Sequence, residues 1–314
     1  MGSIIGAHLA RAGHSVLMLA RGRRAQQIAA DGLRLTGLAE FAQPVPVLSE
    51  PALFSGAAAL IVATKTYGTA DALAALRGAA VGVALSIQNG LMKDALLADV
   101  FGSARVLGAL ANLSGELLPS GEVLFTRNTR LYIGELDGSD SARARAIAAS
   151  IDAAGVRSSA APEILSLEWS KFAAWAPMMI LSVTTRALTW KYLLDDGAAR
   201  VLVRLVREVG TLAAACRVPL SDGGVLPVAT ICRASEQEGV ALLRSFGLEM
   251  QVSAPLHRMS TLQDLVAGRA LEVDETLGHA IRSAAALGLD LPLLQSFTEL
   301  VAGIDRMRDP PAAG

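Results

Sequence analysis

The hydrophobic and polar positions divide the chain into two differently patterned parts. Up to Pro162, short apolar runs alternate with helical segments, as in a sheet covered by helices. Beyond Pro162 the apolar residues recur only at helical spacing. The pattern predicts an α/β domain over residues 1–162 and an all-helical domain over residues 163–308. A disordered tail is expected over residues 309–314.

Within the first domain, a helix is predicted to begin at Gly2 and to end at Gly13. Short apolar runs predict buried strands over residues 15–20, 58–64, 81–87, 106–110 and 156–160. A hairpin with its turn at Pro119-Ser-Gly is predicted over residues 115–134. The spacing also predicts helices over residues 69–76, 91–100 and 142–154.

The second domain is predicted to open with one long helix that runs to residue 194 and kinks at Pro177. Further helices are predicted over residues 197–215, 225–245, 260–267, 272–287 and 292–307. The sequence gives no strand signal in this half, so its core must form between helices.

Composition narrows the classes of partner. The chain has 314 residues, 52% of them hydrophobic and only 18% charged, with a net charge of −1. A balanced, sparsely charged surface argues against nucleic acid and against a polybasic membrane surface. The longest apolar window, residues 172–185, is too short to span a bilayer, and no signal peptide opens the chain. We therefore expect a cytoplasmic protein with a small-molecule partner.

Cysteine and histidine give no sign of a metal centre. Cys216 and Cys232 lie outside any C-x-x-C motif, and the four histidines lack the spacing of metal ligands. No metal site is expected, and both cysteines are interpreted as reduced, buried side chains.

The chain from residue 2 to residue 24 has the order of a dinucleotide-binding fold: helix, second strand, then the loop that meets the adenosine ribose. Arg21, Arg23 and Arg24 occupy this loop. Arginine here favours the 2′-phosphate of NADP, and Arg21, at the strand end, is our candidate. Each of the three arginines could equally be a solvent-exposed residue at the start of the next helix.

The dinucleotide fingerprint G-x-G-x-x-G is incomplete. Only Gly2 is present, as the third glycine, and no strand precedes it. Without that strand the sheet would have a gap in its hydrogen-bond ladder and no phosphate-binding turn. We therefore expect the natural chain to begin upstream of Met1. If it does not, a cofactor-free binding or scaffold protein becomes the alternative.

Two further polar residues follow predicted strands. Lys65 comes after residues 58–64, and Asn89 lies in Gln88-Asn89-Gly90 after residues 81–87. Ligands of open α/β sheets bind at the carboxyl ends of strands, so both residues could face a cofactor. A solvated lysine and a simple Asn-Gly turn are the alternatives.

Several different short motifs are spread along nearly the whole chain. They are Met1-Gly2 with the following helix and Gly13-His14, Arg21, Val62-Ala-Thr-Lys65, Gln88-Asn89-Gly90, Glu168-Trp-Ser-Lys171-Phe, Ser260-Thr-Leu-Gln-Asp264 and Glu272-Val-Asp. These motifs, together with their order and spacing, resemble those of the ketopantoate reductase family (2-dehydropantoate 2-reductases). The resemblance implies a Rossmann-type, doubly wound parallel sheet that binds NADPH. It also implies a helical domain like the C-terminal domain of 6-phosphogluconate dehydrogenase, a 2-keto acid in the cleft between the two, and a homodimer.

The resemblance also implies residue roles. Lys171 matches the catalytic lysine, Glu272 the glutamate that holds the substrate hydroxyl, and Ser260 the serine that meets the substrate carboxylate. The implied cofactor contacts are Gly2, Arg21, Lys65 and Asn89.

The chemistry fits these residue types. Hydride addition to a 2-keto acid places negative charge on the carbonyl oxygen, which a lysine ammonium stabilises and then protonates. Other roles remain open: Lys171 could be a surface lysine, Glu272 could start a helix, and Ser260 could form a capping box with Gln263.

The chain departs from the family at Trp175 and Met179, where asparagines usually follow the lysine by one and two turns. Because positions i, i+4 and i+8 share a helix face, this wall of the substrate site is expected to be apolar and bulky. The alternative substrate is thus a more hydrophobic carbonyl compound, as in a related 2-keto acid or opine-type reductase. Asn112, expected just past a strand end, would supply a replacement amide or a turn.

Overall fold

The structure, a computed structural model, describes residues 1–309, which form two compact units. The first unit comprises Met1–Gln88 and Lys93–Leu165, and the second comprises Asn89–Met92 with the chain from Ser166 onwards. The assignment of Asn89–Met92 to the helical unit was not predicted. Most of the predicted tail, residues 310–314, lies outside the described residues.

The first unit contains the strands β1 (Met18–Leu19), β2 (Leu33–Gly37), β3 (Phe41–Gln43), β4 (Val47–Leu48), β5 (Gly56–Val62), β6 (Ala80–Ser86), β7 (Val106–Leu117), β8 (Val123–Gly134) and β9 (Ser158–Ala160). Its main sheet has the strand order β3-β2-β8-β7-β6-β5, with β9 beside β8. Strands β5, β6 and β7 run parallel, whereas β7 and β8 form an antiparallel hairpin. The predicted turn is confirmed, because the Leu118 amide donates to the Glu122 carbonyl (2.8 Å).

Helices cover both faces of this sheet, as in a doubly wound fold. They are α1 (Gly2–Arg11), α2 (Gly22–Asp31), α3 (Thr69–Ala74), α4 (Lys93–Phe101) and α5 (Ala142–Ala153). Ile4, Ile28 and Ile151 bring α1, α2 and α5 into one apolar core. Leu73 and Leu97 bring α3 and α4 into a second core. The Rossmann-type architecture predicted from the sequence is confirmed.

Strand β5 lies at the edge of the described sheet. Among the described strands β5 pairs only with β6, and β1 pairs only with β4, in a separate two-stranded sheet. No residue of β5 is fully buried, and Ala58 and Ala59 are exposed. Parallel strands are normally covered on both faces, so β5 is less covered than a parallel strand usually is.

Strand β7 corrects one prediction. The expected strand over residues 106–110 and the expected hairpin from residue 115 are joined in one continuous strand. Its register shifts between Asn112 and Leu113 and again between Ser114 and Gly115. Asn112 therefore lies inside a strand, opposite Arg130, and its interpretation as a turn residue was wrong. A bulge absorbs the irregular residues without ending the strand.

The second unit is helical, as predicted. Its helices are α6 (Ile164–Thr185), α7 (Thr189–Leu194), α8 (Asp196–Ala215), α9 (Val228–Arg233), α10 (Glu236–Ser253), α11 (Ser260–Val266), α12 (His279–Ala286) and α13 (Pro292–Arg306). The buried face of α8, which includes Leu205, Val209 and Leu212, lies at the centre of the core. The Glu208 carboxylate of α8 accepts hydrogen bonds from the first amides of α13, those of Leu293 (3.1 Å) and Leu294 (2.7 Å). Within residues 1–309, no helix combines the length and apolarity needed to cross a bilayer.

Three predicted helices of this unit differ from the structure. The helix expected to reach residue 194 ends at Thr185, because Arg186 takes a left-handed conformation (φ 53°), and Pro177 lies inside α6 without ending it. The helix expected over residues 225–245 is interrupted at Ser235, which forms a capping box with Glu238 at the start of α10. The helix expected from residue 272 begins with a π-helical turn, Asp274–Gly278.

A histidine is buried in the first unit. His8 of α1 is 7% exposed, its Nδ1 lies 2.9 Å from the Ile4 carbonyl oxygen, and its ring meets the edges of Phe41 and Phe125. Burial is the main cause that lowers its pKa; the Ile4 contact opposes this shift, and Arg11 reinforces it.

We predict that His8→Asn flattens the pH dependence of stability. Because the folded-state pKa of His8 lies below the unfolded value of about 6.5, the unfolded chain binds more protons as the pH falls. The His8 contribution is therefore complete above pH ~6.5 and is lost below it. Urea unfolding from pH 8 to pH 5 should show a shallower decline in the variant. An equal decline in both proteins would contradict this assignment.

Candidate active site

The start of α1 lies against the end of β5. A Cβ atom added to Gly2 would sit 2.9 Å from the Cβ of Ala63, which directly follows β5. Only glycine permits this approach without displacement, and close helix–strand packing is the role of the third glycine in the dinucleotide fingerprint. The packing is therefore what the fingerprint requires, whereas cofactor contact at Gly2 remains a prediction.

The three arginines after β1 have different partners. Arg24 donates to the Ser3 hydroxyl (2.9 Å) and to the Gly121 carbonyl (2.7 Å), and Arg23 donates to the Pro119 carbonyl (2.9 Å). Arg21 is exposed at the N-cap of α2, and within residues 1–309 its guanidinium makes no hydrogen bond. Of the three side chains, that of Arg21 can therefore meet a ligand without breaking an existing contact.

The carboxyl ends of β5 and β6 are joined by Gln88, which is 8% exposed. Its Nε2 lies within hydrogen-bond distance of the carbonyl oxygens of Thr64 (3.0 Å) and Lys65 (3.1 Å) and of the Thr69 hydroxyl (2.8 Å). The Ser86 hydroxyl donates to Oε1 of Gln88 (3.0 Å). These bonds fix the backbone of the loop that carries the exposed Lys65.

Sequence reasoning missed this role of Gln88, because it considered the residue only as part of a turn motif. The available signal was a polar side chain placed between an apolar run and Asn-Gly. A buried amide needs several partners, and the neighbouring loop supplies them.

Lys171 lies half-buried on α6. Its side chain is flanked along the helix face by Glu168, which is 6% exposed, and by Trp175, which is half-buried. The ring of Trp175 lies 6.3 Å from that of Phe172. The adjacent Ser170 hydroxyl accepts a hydrogen bond from the Ser221 amide (2.8 Å), which ties this turn of α6 to the loop after α8.

Met179 does not take the place expected for it. It has no exposed surface and belongs to the apolar core of the helical unit. Two turns along α6 from Lys171, the helix is surrounded by packed side chains, so position i+8 is buried. Of the two departures from the family pattern, Trp175 alone presents surface to a ligand.

Glu272 is 7% exposed, and the backbone around it is held on both sides. The Leu271 amide donates to Oδ1 of Asp305 (3.0 Å), and the Thr276 hydroxyl donates to the Glu272 carbonyl oxygen. The π-helical turn begins two residues later, at Asp274. Glu272 therefore precedes the helical turn, and the interpretation of Glu272 as a helix-starting acid was wrong.

Ser260 is the first residue of α11, and the N-cap is Met259, with no side-chain capping bond. Gln263 donates instead to the Arg258 carbonyl (3.3 Å). The predicted capping box is therefore wrong, and the exposed Ser260 hydroxyl has no capping role to compete with ligand binding.

The predicted residues are distributed between the two units. The helical unit carries Lys171, Glu272, Ser260, Trp175, Met179 and Asn89, and the α/β unit carries Gly2, Arg21, Lys65 and Asn112. The residues proposed for proton transfer thus share one unit, and most of those proposed for the cofactor share the other. Residues 1–309 contain no group of three His, Cys, Asp or Glu side chains arranged to hold a metal ion.

Two family models match the chain. The model described as "Ketopantoate reductase PanE/ApbA" covers residues 1–138, and that described as "Ketopantoate reductase PanE/ApbA C terminal" covers residues 163–305. A 2-dehydropantoate 2-reductase of Archaeoglobus fulgidus is 25% identical over 97% of this chain and 95% of its own.

Solved structures with a similar fold cover nearly the whole chain. A PanE/ApbA family ketopantoate reductase from Ralstonia eutropha is 26% identical, with a TM-score of 0.80, over 96% of this chain and 94% of its own. D-mandelate dehydrogenase in complex with NADH has a TM-score of 0.82 over 98% and 97% of the two chains, but at 20% identity it supports the fold alone.

The Rossmann-type unit, the helical unit and these matches define an oxidoreductase. The chain belongs to the ketopantoate reductase family.

Proposed function

We propose that the protein reduces a 2-keto acid with NADPH, in a reaction of the type that converts ketopantoate to pantoate. The observation that carries the proposal is the half-buried Lys171 on α6, in the same unit as the buried carboxylate of Glu272. A cation next to an apolar wall is suited to a reaction in which negative charge develops on an oxygen.

Each residue has a distinct part in this reaction. The Lys171 ammonium stabilises the carbonyl oxygen as it becomes negative and then gives it a proton, which yields the hydroxyl of the product. Glu272 accepts a hydrogen bond from the substrate hydroxyl, and Ser260 donates one to the substrate carboxylate. Asn112 is proposed as a further amide contact to the substrate.

NADPH, when bound, supplies the hydride. Arg21 would hold its 2′-phosphate, since this guanidinium is exposed and makes no other hydrogen bond in the described part of the chain. Gly2 would let α1 approach the cofactor closely, and Lys65 and Asn89 would contact it at the strand ends. The close packing of Gly2 and the exposure of Arg21 fit this cofactor.

A second candidate substrate is a bulkier, more hydrophobic 2-keto acid. It is favoured by Trp175, which lies one turn from Lys171 and is only half-buried. An indole at this position offers apolar contact where an asparagine would offer hydrogen bonds.

We further propose a cytoplasmic homodimer. Leu248, Val252 and Leu256 support it, because these apolar side chains are 57%, 85% and 82% exposed and lie on α10 or just beyond it. Contiguous exposed apolar residues are typical of interaction surfaces.

We predict that Lys171→Ala lowers turnover about a hundredfold or more, the usual cost of removing one donor to a developing oxyanion. Turnover is measured as the rate of NADPH oxidation, followed by absorbance, with ketopantoate and other 2-keto acids as substrates. Lys191→Ala, which removes an exposed lysine of α7, is the matched control and should leave turnover unchanged. Near-normal turnover in Lys171→Ala would remove this lysine from the mechanism.

Arg21→Ala is expected to weaken NADPH binding about tenfold to a hundredfold and to leave NADH binding unchanged, because only NADPH carries the 2′-phosphate. Fluorescence titration with both cofactors gives the two dissociation constants. The control is Arg23→Ala, because the guanidinium of Arg23 already donates a hydrogen bond to the Pro119 carbonyl. Equal effects on NADPH and NADH would reject Arg21 as the phosphate contact.

Trp175→Asn should shift specificity towards ketopantoate. We expect the ratio of kcat/KM for ketopantoate to that for an aromatic 2-keto acid to rise about tenfold, the scale of a changed pocket contact. Trp169→Asn is the control, since this half-buried tryptophan lies on the opposite face of α6 from Lys171. An unchanged ratio in Trp175→Asn would exclude this side chain from the substrate pocket.

A further inference from the structure

Thr276 lies where two candidate site segments meet inside the helical unit. It is completely buried, and its hydroxyl donates to the carbonyl oxygen of Glu272. It belongs to the π-helical turn Asp274–Gly278. Such turns are rare in helices and are frequent at functional sites, because the extra residue re-aims the neighbouring side chains.

The methyl group of Thr276 faces the loop that carries Asn89. A Cβ atom added to Gly90 would lie 3.0 Å from Cγ2 of Thr276 and 3.6 Å from the carbonyl oxygen of Glu275. Gly90 also has a left-handed backbone (φ 88°). The residue after Asn89 is therefore packed directly onto the turn that follows Glu272.

We propose that Thr276 is a positioning residue, which fixes Glu272 through its hydroxyl and the Asn89 loop through its methyl group. One side chain thereby sets the distance between the carboxylate assigned to the substrate and the amide assigned to the cofactor. This inference rests on the proposed function of Glu272 and Asn89.

A purely local role for the hydroxyl would have different consequences. Threonine hydroxyls often bond the carbonyl four residues earlier in a helix, and such bonds contribute little to stability. If the Thr276 bond did only this, its loss would change stability slightly and leave the kinetics of the reaction unaffected.

Two substitutions separate the functions of the side chain. Thr276→Val keeps the branched shape and removes the hydroxyl, whereas Thr276→Ser keeps the hydroxyl and removes Cγ2. We expect Thr276→Val to lower kcat for the 2-keto acid about tenfold, the scale of one net hydrogen bond, with an unchanged dissociation constant for NADPH. Thr276→Ser should retain kcat within about twofold, because it keeps the hydroxyl that holds Glu272, but it should weaken NADPH binding, because Cγ2 no longer packs on the Asn89 loop. Thermal unfolding checks that the wild type and Thr276→Val are both folded. If they are and their kcat values are equal, the role of the hydroxyl is overturned.

The methyl contact is tested by a double-mutant cycle with Gly90→Ala. In the wild-type background the added methyl group meets Cγ2 of Thr276, and in the Thr276→Ser background that atom is gone. The backbone strain at Gly90 is the same in both, so it cancels. We expect Gly90→Ala to be less destabilising in the Thr276→Ser background. Equal costs would overturn the contact.

This cycle is read from the free energy of unfolding and does not depend on activity. If the wild-type protein reduced none of the 2-keto acids tested, the proposed function would fail, and the link to catalysis would fail with it. The cycle would still decide whether Thr276 joins the Asn89 loop to the turn after Glu272.

Discussion

The burial of α6 is the constraint on which the helical unit depends. From Phe172 to Val183 nearly every side chain of this helix is buried, so α6 is enclosed in the unit's core together with α8. Lys171 lies directly before this stretch, on the last turn that is not enclosed. A lysine there is held by a helix that cannot rotate or slide without opening the core. The position of the ammonium is therefore set by packing that extends far beyond its own contacts.

A second constraint acts on the backbone around Glu272. A buried carboxylate is costly unless its surroundings are fixed and polar. Here the chain is held by Asp305 on one side and by Thr276 on the other, and a π-helical turn follows. The Asn89 loop packs on the same turn through Gly90. A short piece of chain from between two strands of the sheet has thus become part of the helical unit.

The α/β unit positions its candidate residues by a different means. The loops at the carboxyl ends of β5 and β6 have no regular secondary structure to fix them, and the buried amide of Gln88 takes that role. Gly2 sets how closely α1 can approach the end of β5. Both devices act on backbone, and the side chains of Lys65 and Arg21 are exposed beside them.

The sequence alone predicted the two architectures, the hairpin turn and the family, because these follow from apolar periodicity, turn residues and the order of short motifs. It also named Lys171, Glu272 and Ser260. The folded structure was needed to show that Asn112 lies inside β7, that Met179 is enclosed while Trp175 is not, that Gln88 bonds the loop after β5, and that Thr276 packs against Gly90. Local patterns carry the repeat of a helix or strand, but burial and long-range hydrogen bonds depend on which elements meet, and that is fixed only when the chain folds.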